Sequence, residues 1–288
     1  MRLVIKFAGA LLEQPAEALY KSRAQQVADL AHQGYRVLVV HGGGLAFTKT
    51  LARLGIESRF VEGLRVTDRE TRDVALMVLG GILNKQLAAA ITAAGQPALG
   101  ISGGDAASFP AEPVSHPAGL AFVGELSGVN VKFIESLWTA GLVPVAACLG
   151  LGLDGEIYNI NADQMAAGCA GYLHADKLIY LTDVPGVLDG DRVLGTVACD
   201  EIEALVKAQK VSGGMVLKLE ACCRGLAAGV GDVQIVGGEI PGSLLAAAAG
   251  ECMGTRVGTG APVGKGASAG KESWRNKIAK RGKRNPCP

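Results

Sequence analysis

Two textures of apolar and polar positions alternate along the chain. Runs that are almost wholly apolar occur at 3–6, 37–40, 98–101, 143–148, 178–181 and 233–236. Between them apolar residues recur every three or four positions, near 16–33, 45–54, 69–94, 131–140, 162–173, 201–209, 214–229 and 241–249. The short continuous runs predict strands covered on both faces, as in a parallel sheet; a sheet with one wet face would alternate. The wider spacing predicts helices. Gly34, Gly55, Gly95, Gly141 and either Gly229 or Gly231 stand where a helix would stop. Strands alternating with helices give an α/β fold, a doubly wound, mostly parallel sheet sandwiched by helices. From Ala106 to Val129 the pattern breaks into short, turn-rich segments, which predicts an inserted β-hairpin region. Such sheets hold ligands beyond the carboxyl ends of their strands, so the strand-to-helix loops are where chemistry belongs.

Composition adds exclusions. Of the 288 residues 49% are hydrophobic but only 5% aromatic, so the core is built mainly from Ala, Val, Leu and Gly. No apolar run approaches the roughly 20 residues of a membrane-spanning helix. Met1 leads straight into the first apolar run without a signal-peptide pattern, so a soluble cytoplasmic protein with no membrane partner is expected. The seven cysteines show no CxxC and no Cys/His ligand spacing, which predicts free thiols in a reducing compartment and no protein-held metal. Residues 262–288 carry eight Lys/Arg against one acid, a net +7, and leave −6 on the rest of the chain. The tail, 259–288, is expected to be disordered, and only it could attract nucleic acid, without specificity.

Several glycine patterns compete for a function. Gly150 to Gly155 fits GxGxxG, but the Glu156-Ile157-Tyr158-Asn159 that follows is extended, not the helix a dinucleotide site needs. His41-Gly42-Gly43-Gly44 with Gly100-Ile101-Ser102-Gly103-Gly104 imitates a serine esterase, yet the one histidine well beyond Ser102 is His174, at a helix end. There is no Walker A sequence. Two strand ends remain. Lys6 closes the first strand ahead of Gly9, and His41 closes the second ahead of Gly42, Gly43 and Gly44. Adjacent glycine loops present backbone N–H groups to a phosphate, and a helix N-terminus adds partial positive charge. Further on, Asn161 and Gln164 have the spacing of a helix cap and its partner, with Asp163 in the first turn and Asn159 just ahead. Gly213-Gly214-Met215 opens another helix with Lys218 one turn in.

In this order, together with Glu62-Gly63-Leu64-Arg65, Asn84-Lys85, Phe122 to Glu125 and Leu181 to Val187, these landmarks resemble the amino-acid kinase family and, closely, its acetylglutamate kinase branch. The resemblance covers residues 1–258 and implies an acyl-amino-acid-binding lobe, about 1–175, followed by a nucleotide-binding lobe, about 176–258. It implies ATP, Mg²⁺ carried on the nucleotide phosphates, and N-acetyl-L-glutamate as acceptor of a phosphoryl group on its γ-carboxylate, a step in making arginine. By the same resemblance Lys6 and Lys218 are catalytic and Asp163 holds both. Gly9, Gly43 and Gly44 bind phosphate, with Gly43 and Gly44 also against the acceptor. Arg65 and Asn159 bind the acceptor's α-carboxylate, and Thr182, Asp183, Gly214 and Met215 border the nucleotide. Because the chain opens on its first strand, a homodimer insensitive to arginine is implied, with the helix near 69–94 as interface. The rivals are a kinase for an aminoadipate-type acceptor and a catalytically silent amino-acid-binding regulator. Ala8 stands where relatives usually have glycine, and Gly104 where many have lysine.

Overall fold

The computed structural model describes residues 1–12 and 17–260; the predicted tail, from residue 261 onward, lies outside the described residues. Eight strands form the main sheet: β1 (Arg2–Phe7), β2 (Arg36–His41), β3 (Ala98–Ile101), β4 (Val143–Ala147), β5 (Lys177–Thr182), β6 (Thr196–Ala198), β7 (Asp232–Gly237) and β8 (Gly254–Gly258). Their order is β6-β8-β7-β5-β1-β2-β4-β3. All neighbours run parallel except β7 and β8, which are antiparallel. The six strands expected from the apolar runs are all present.

Side chains of β1 alternate between two cores, as the twofold period of a strand requires. Leu3, Ile5 and Phe7 enter one, with Leu87 and Ile91; Val4 enters the other, with Phe47, Leu79 and Met165. The helices that cover the sheet are α1 (Gly9–Leu12), α2 (Glu17–His32), α3 (Gly44–Arg53), α4 (Arg69–Ala93), α5 (Val131–Thr139), α6 (Ala162–Tyr172), α7 (Ile202–Lys207), α8 (Gly214–Ala227) and α9 (Ser243–Ala249). The stop after α8 falls on Gly229, whose φ of 94° suits glycine, and not on Gly231.

The 25-residue α4 is, by length and composition only, apolar enough to cross a membrane, a property that no uninterrupted apolar run in the sequence announces. Its apolar side is used within the fold: Val74, Val78, Leu79, Leu83, Leu87 and Ile91 are buried, while Met77 and Ile82 face outward. Between Leu76 and Leu83 the helix widens into π turns.

A second sheet stands beyond the carboxyl ends of the main one, in the order Ala111–Pro113, Val123–Leu126, Ile157–Ile160, Leu149–Leu151. The predicted inserted hairpin is half of this sheet. The GxGxxG stretch is an antiparallel return, Leu149–Leu151 against Ile157–Ile160, and no helix follows its last glycine. One expectation is corrected. Cys199 and Cys223 are joined by a disulfide, with Cα atoms 5.8 Å apart, while Cys148, Cys169, Cys222 and Cys252 are free. The pair lies 24 residues apart in the chain and meets only because α8 packs back near β6, so no local spacing announces it.

Candidate active site

Lys6 and His41 occupy the carboxyl ends of adjacent parallel strands, in a register that pairs Lys6 with Val40 and Phe7 with His41. Past them the chain turns into α1 at Gly9 and into α3 at Gly44. The two turns touch: a Cβ on Gly9 would lie 2.9 Å from Gly43 Cα and from Gly44 N. On the other side a Cβ on Gly43 would come within 2.2 Å of Leu83 Cδ1. Only glycine permits this contact. Gly43 caps α3 with no side-chain hydrogen bond, and the positive end of the helix dipole favours an anion at this turn.

Asn161 caps α6, accepting from the backbone N–H groups of Asp163 at 3.0 Å and Gln164 at 3.1 Å. This puts Asp163 in the first turn of α6, pointing at Lys6. Asp163 Oδ1 receives Lys6 Nζ and Lys218 Nζ, each at 2.9 Å. The three side chains are 13%, 8% and 9% exposed respectively. Lys218 reaches the carboxylate from the fifth position of α8, with its ammonium 5.4 Å from the centre of the Tyr180 ring. The Tyr180 hydroxyl donates to the Asp163 carbonyl at 3.1 Å. Burial pushes the Asp163 carboxyl up, but the two lysines outweigh it and hold the group at about 2. Burial, and then the like charge of Lys6, pull Lys218 down. Two cations on one anion leave a net positive charge at the mouth of the glycine turns.

A pocket opens in front of this bridge, and Lys6, Gly9, Gly43, Gly44, Arg65, Asn159 and Asp163 all line it. Arg65 is held by the hydroxyls of Ser58 at 2.6 Å and Thr48 at 2.7 Å, and by the Gly44 carbonyl at 3.3 Å. Its guanidinium lies between the rings of Phe47 and Phe60, 4.5 Å from each centroid. Asn159 Nδ2 donates to Thr67 Oγ1 at 3.2 Å. Thr182 and Asp183, bonded to each other at 3.0 Å, and Gly214 and Met215 are not in the lining of this pocket. Lys218 is not in the lining either; Thr182 ends β5, and Gly214 opens the helix that carries Lys218 to Asp163. Ser102 donates to Asp105 at 2.9 Å, which leaves the esterase pattern without a base.

Sequence reasoning missed the aromatic clamp on Arg65. Phe60 lies on a hairpin of two-residue strands, Phe60–Val61 and Leu64–Arg65, too short to leave a periodic signal. Cys148, buried in the pocket wall, was identifiable only as a small apolar residue.

A sequence profile described as "Amino acid kinase family" matches residues 1–237. The chain belongs to the amino acid kinase family. Among amino acid kinases it is 55% identical over 238 residues to the acetylglutamate kinase of Koribacter versatilis (strain Ellin345), covering 82% of this chain and 90% of that one. It is 46% identical over 240 residues to the acetylglutamate kinase of Acidobacterium capsulatum, covering 83% and 92%. The solved structure of smu.665 from Streptococcus mutans UA159 superposes with a TM-score of 0.76 at 26% identity, covering 90% of this chain and 98% of that one. The α/β architecture read from the apolar runs is thus the architecture of the family.

Proposed function

We infer that this protein transfers the γ-phosphoryl group of ATP to the γ-carboxylate of N-acetyl-L-glutamate, giving an acyl phosphate and ADP in arginine biosynthesis. What carries the inference is the Lys6–Asp163–Lys218 bridge at the mouth of two touching glycine turns, in a chain 55% identical to an acetylglutamate kinase.

The acceptor carboxylate is already ionised at neutral pH, so the attack needs no general base. A carboxylate oxygen forms a bond to the γ-phosphorus while the bond from that phosphorus to the β–γ bridging oxygen breaks, and ADP leaves with the electron pair. The obstacle is repulsion between two anions that must meet in line. Lys6 and Lys218 would lie against the phosphoryl group in transit, and Asp163 holds both ammonium groups in place without cancelling their combined charge. The N–H groups of Gly9, Gly43 and Gly44 would take its equatorial oxygens. Arg65, with both Nη2 hydrogens and one Nη1 hydrogen used by Thr48, Gly44 and Ser58, would offer a remaining N–H and its positive charge to the acceptor's α-carboxylate, beside the Asn159 amide. Thr182, Asp183, Gly214 and Met215 would border the nucleotide. The lobe of residues 1–175 would take the acyl-amino acid and that of 176–258 the nucleotide.

Among the described residues no group of three or more His, Cys, Asp or Glu could hold a metal, and Asp163 is occupied by two lysines. By this reading Mg²⁺ would be held by the nucleotide phosphates, where it would offset their charge. We also propose a homodimer through α4, whose Met77 and Ile82 are 53% and 57% exposed. The working place would be the cytoplasm. Trapping the acyl phosphate as a hydroxamate, with acetylglutamate, glutamate and acetylated aminoadipate compared, tests the reading. Hydroxamate formed best from acetylglutamate is expected; none from any acceptor would overturn it.

A further inference from the structure

The catalytic reading leaves His41 without a task, although it ends β2, is fully buried and immediately precedes the glycine turn. Its Nδ1 lies 2.9 Å from the Gly42 carbonyl oxygen. A carbonyl can only accept, so Nδ1 carries the proton and Nε2 presents a lone pair. Asn84 Nδ2 meets that lone pair at 3.1 Å and also donates to the Val145 carbonyl at 2.8 Å. The Asn84 amide cannot be reversed, because Val145 needs a donor and Lys85 Nζ donates to Oδ1 at 3.3 Å. Lys85 is itself tied to the Gly100 carbonyl at 2.7 Å. Thus β2, β3 and β4 and the residue that follows the π turns of α4 converge on one imidazole in one tautomer. Burial keeps the ring neutral, with its pKa pushed down to about 4, so the arrangement does not change across the neutral range.

The consequence lies in the peptide plane. In a trans peptide the carbonyl and the following N–H point in opposite directions. Gly42 O is drawn towards the buried ring, so the N–H of Gly43 is aimed the other way. Gly42, Gly43 and Gly44 line the pocket, and His41 does not. Gly43 has no Cβ that could lock this plane, and the space a Cβ would take is filled by Leu83 and Leu79.

We propose that His41 is a positioning residue: its imidazole, braced by Asn84, pins the Gly42–Gly43 peptide so that the Gly43 N–H faces the phosphoryl group in transit. This rests on the phosphotransfer reading of the pocket. The positioning is selective. An aimed N–H acts on charge that develops in the transition state, so its loss falls on kcat and leaves ground-state binding nearly unchanged.

The test compares three variants by steady-state kinetics and thermal melting. His41→Asn places an amide N–H close to the Nδ1 position and keeps the bond to Gly42. His41→Gln reaches the Nε2 position and keeps Asn84 but loses Gly42. His41→Leu keeps neither. His41→Gln and His41→Leu should each lower kcat about 30-fold with both KM values changed less than about 3-fold, since an aimed donor is worth roughly 100-fold and a loosened one retains part of that. His41→Asn should stay within about 5-fold of wild type. Equal losses in His41→Asn and His41→Gln, or losses carried by KM, would overturn the proposal even if His41→Leu failed to fold. Wild-type protein that phosphorylates no acceptor would instead sink the kinase reading. The crystal structure of His41→Gln would still decide the peptide plane: a Gly42 carbonyl rotated off the buried side is expected, and an unchanged plane contradicts the proposal.

Discussion

Replacing Asp163 by asparagine removes one charge and keeps the shape, leaving two ammonium groups face to face in a site where both lysine side chains are under 10% exposed. Removing one partner of a buried ion pair costs roughly 3–5 kcal/mol, because the remaining charge has no compensation. The amide oxygen can still accept from one lysine, so about 4 kcal/mol is expected. At roughly 2–4 °C per kcal/mol for a domain near this size, the melting temperature should fall by about 8–16 °C at pH 7. The sign with pH follows from proton binding. In Asp163→Asn the folded protein sheds a lysine proton more readily than the unfolded chain does, so the unfolded state binds more protons and stability rises with pH. The deficit should therefore shrink between pH 7 and pH 10. In wild type the depressed Asp163 carboxyl gives a slope of the same sign, but in the acid range. Its contribution is complete above its unfolded pKa, near 4, and is lost as pH falls through about 2. Adding Lys218→Met to Asp163→Asn removes one uncompensated charge and should restore part of the loss. Thermal and urea melts of the three proteins across this pH range suffice. A single variant melting within about 2 °C of wild type at pH 7, or a deficit that grows with pH, would refute this account of the bridge.

Lys6→Ala and Lys218→Ala should each lower kcat at least about 100-fold, since each removes charge felt most strongly in the transition state; initial-rate kinetics at saturating substrates decide this. Arg65→Ala should raise KM for the acyl-amino acid about 10-fold or more and leave KM for ATP unchanged, and a change confined to ATP would show that Arg65 faces the other substrate. Gly43→Ala must move Leu83 or the turn itself, given the 2.2 Å approach to Leu83 Cδ1. It should cost about 1–3 kcal/mol in a urea melt and most of the activity.

The central strands were legible because each is buried on both faces, and burial writes a continuous apolar run into the sequence. β6, at the sheet edge, and β8, beside it, were not, because only some of their residues are buried, and both contain or adjoin glycine. The π turns of α4 escaped for a different reason: Leu76–Leu83 is apolar almost throughout, so no period distinguishes a wide turn from an ordinary one. Within the site, the first-turn position of Asp163 could be argued from the Asn161 cap alone. That Lys6 and Lys218, 212 positions apart, share one oxygen of Asp163 depends on how α6 and α8 cross behind β1 and β5, and here the family resemblance supplied what local pattern could not. The disulfide and the aromatic clamp on Arg65 are likewise products of packing between distant segments.

The central claim is that a bond forms between an acceptor carboxylate oxygen and the γ-phosphorus of ATP. Acetylglutamate labelled with ¹⁸O in its γ-carboxylate, turned over in the presence of hydroxylamine, tests it directly. Hydroxylamine attacks the carbonyl carbon of an acyl phosphate and releases phosphate that keeps the bridging oxygen. Phosphorus NMR should then show one ¹⁸O in each phosphate released with hydroxamate. Unlabelled phosphate throughout would mean that water, not the carboxylate, takes the phosphoryl group, and would contradict the account.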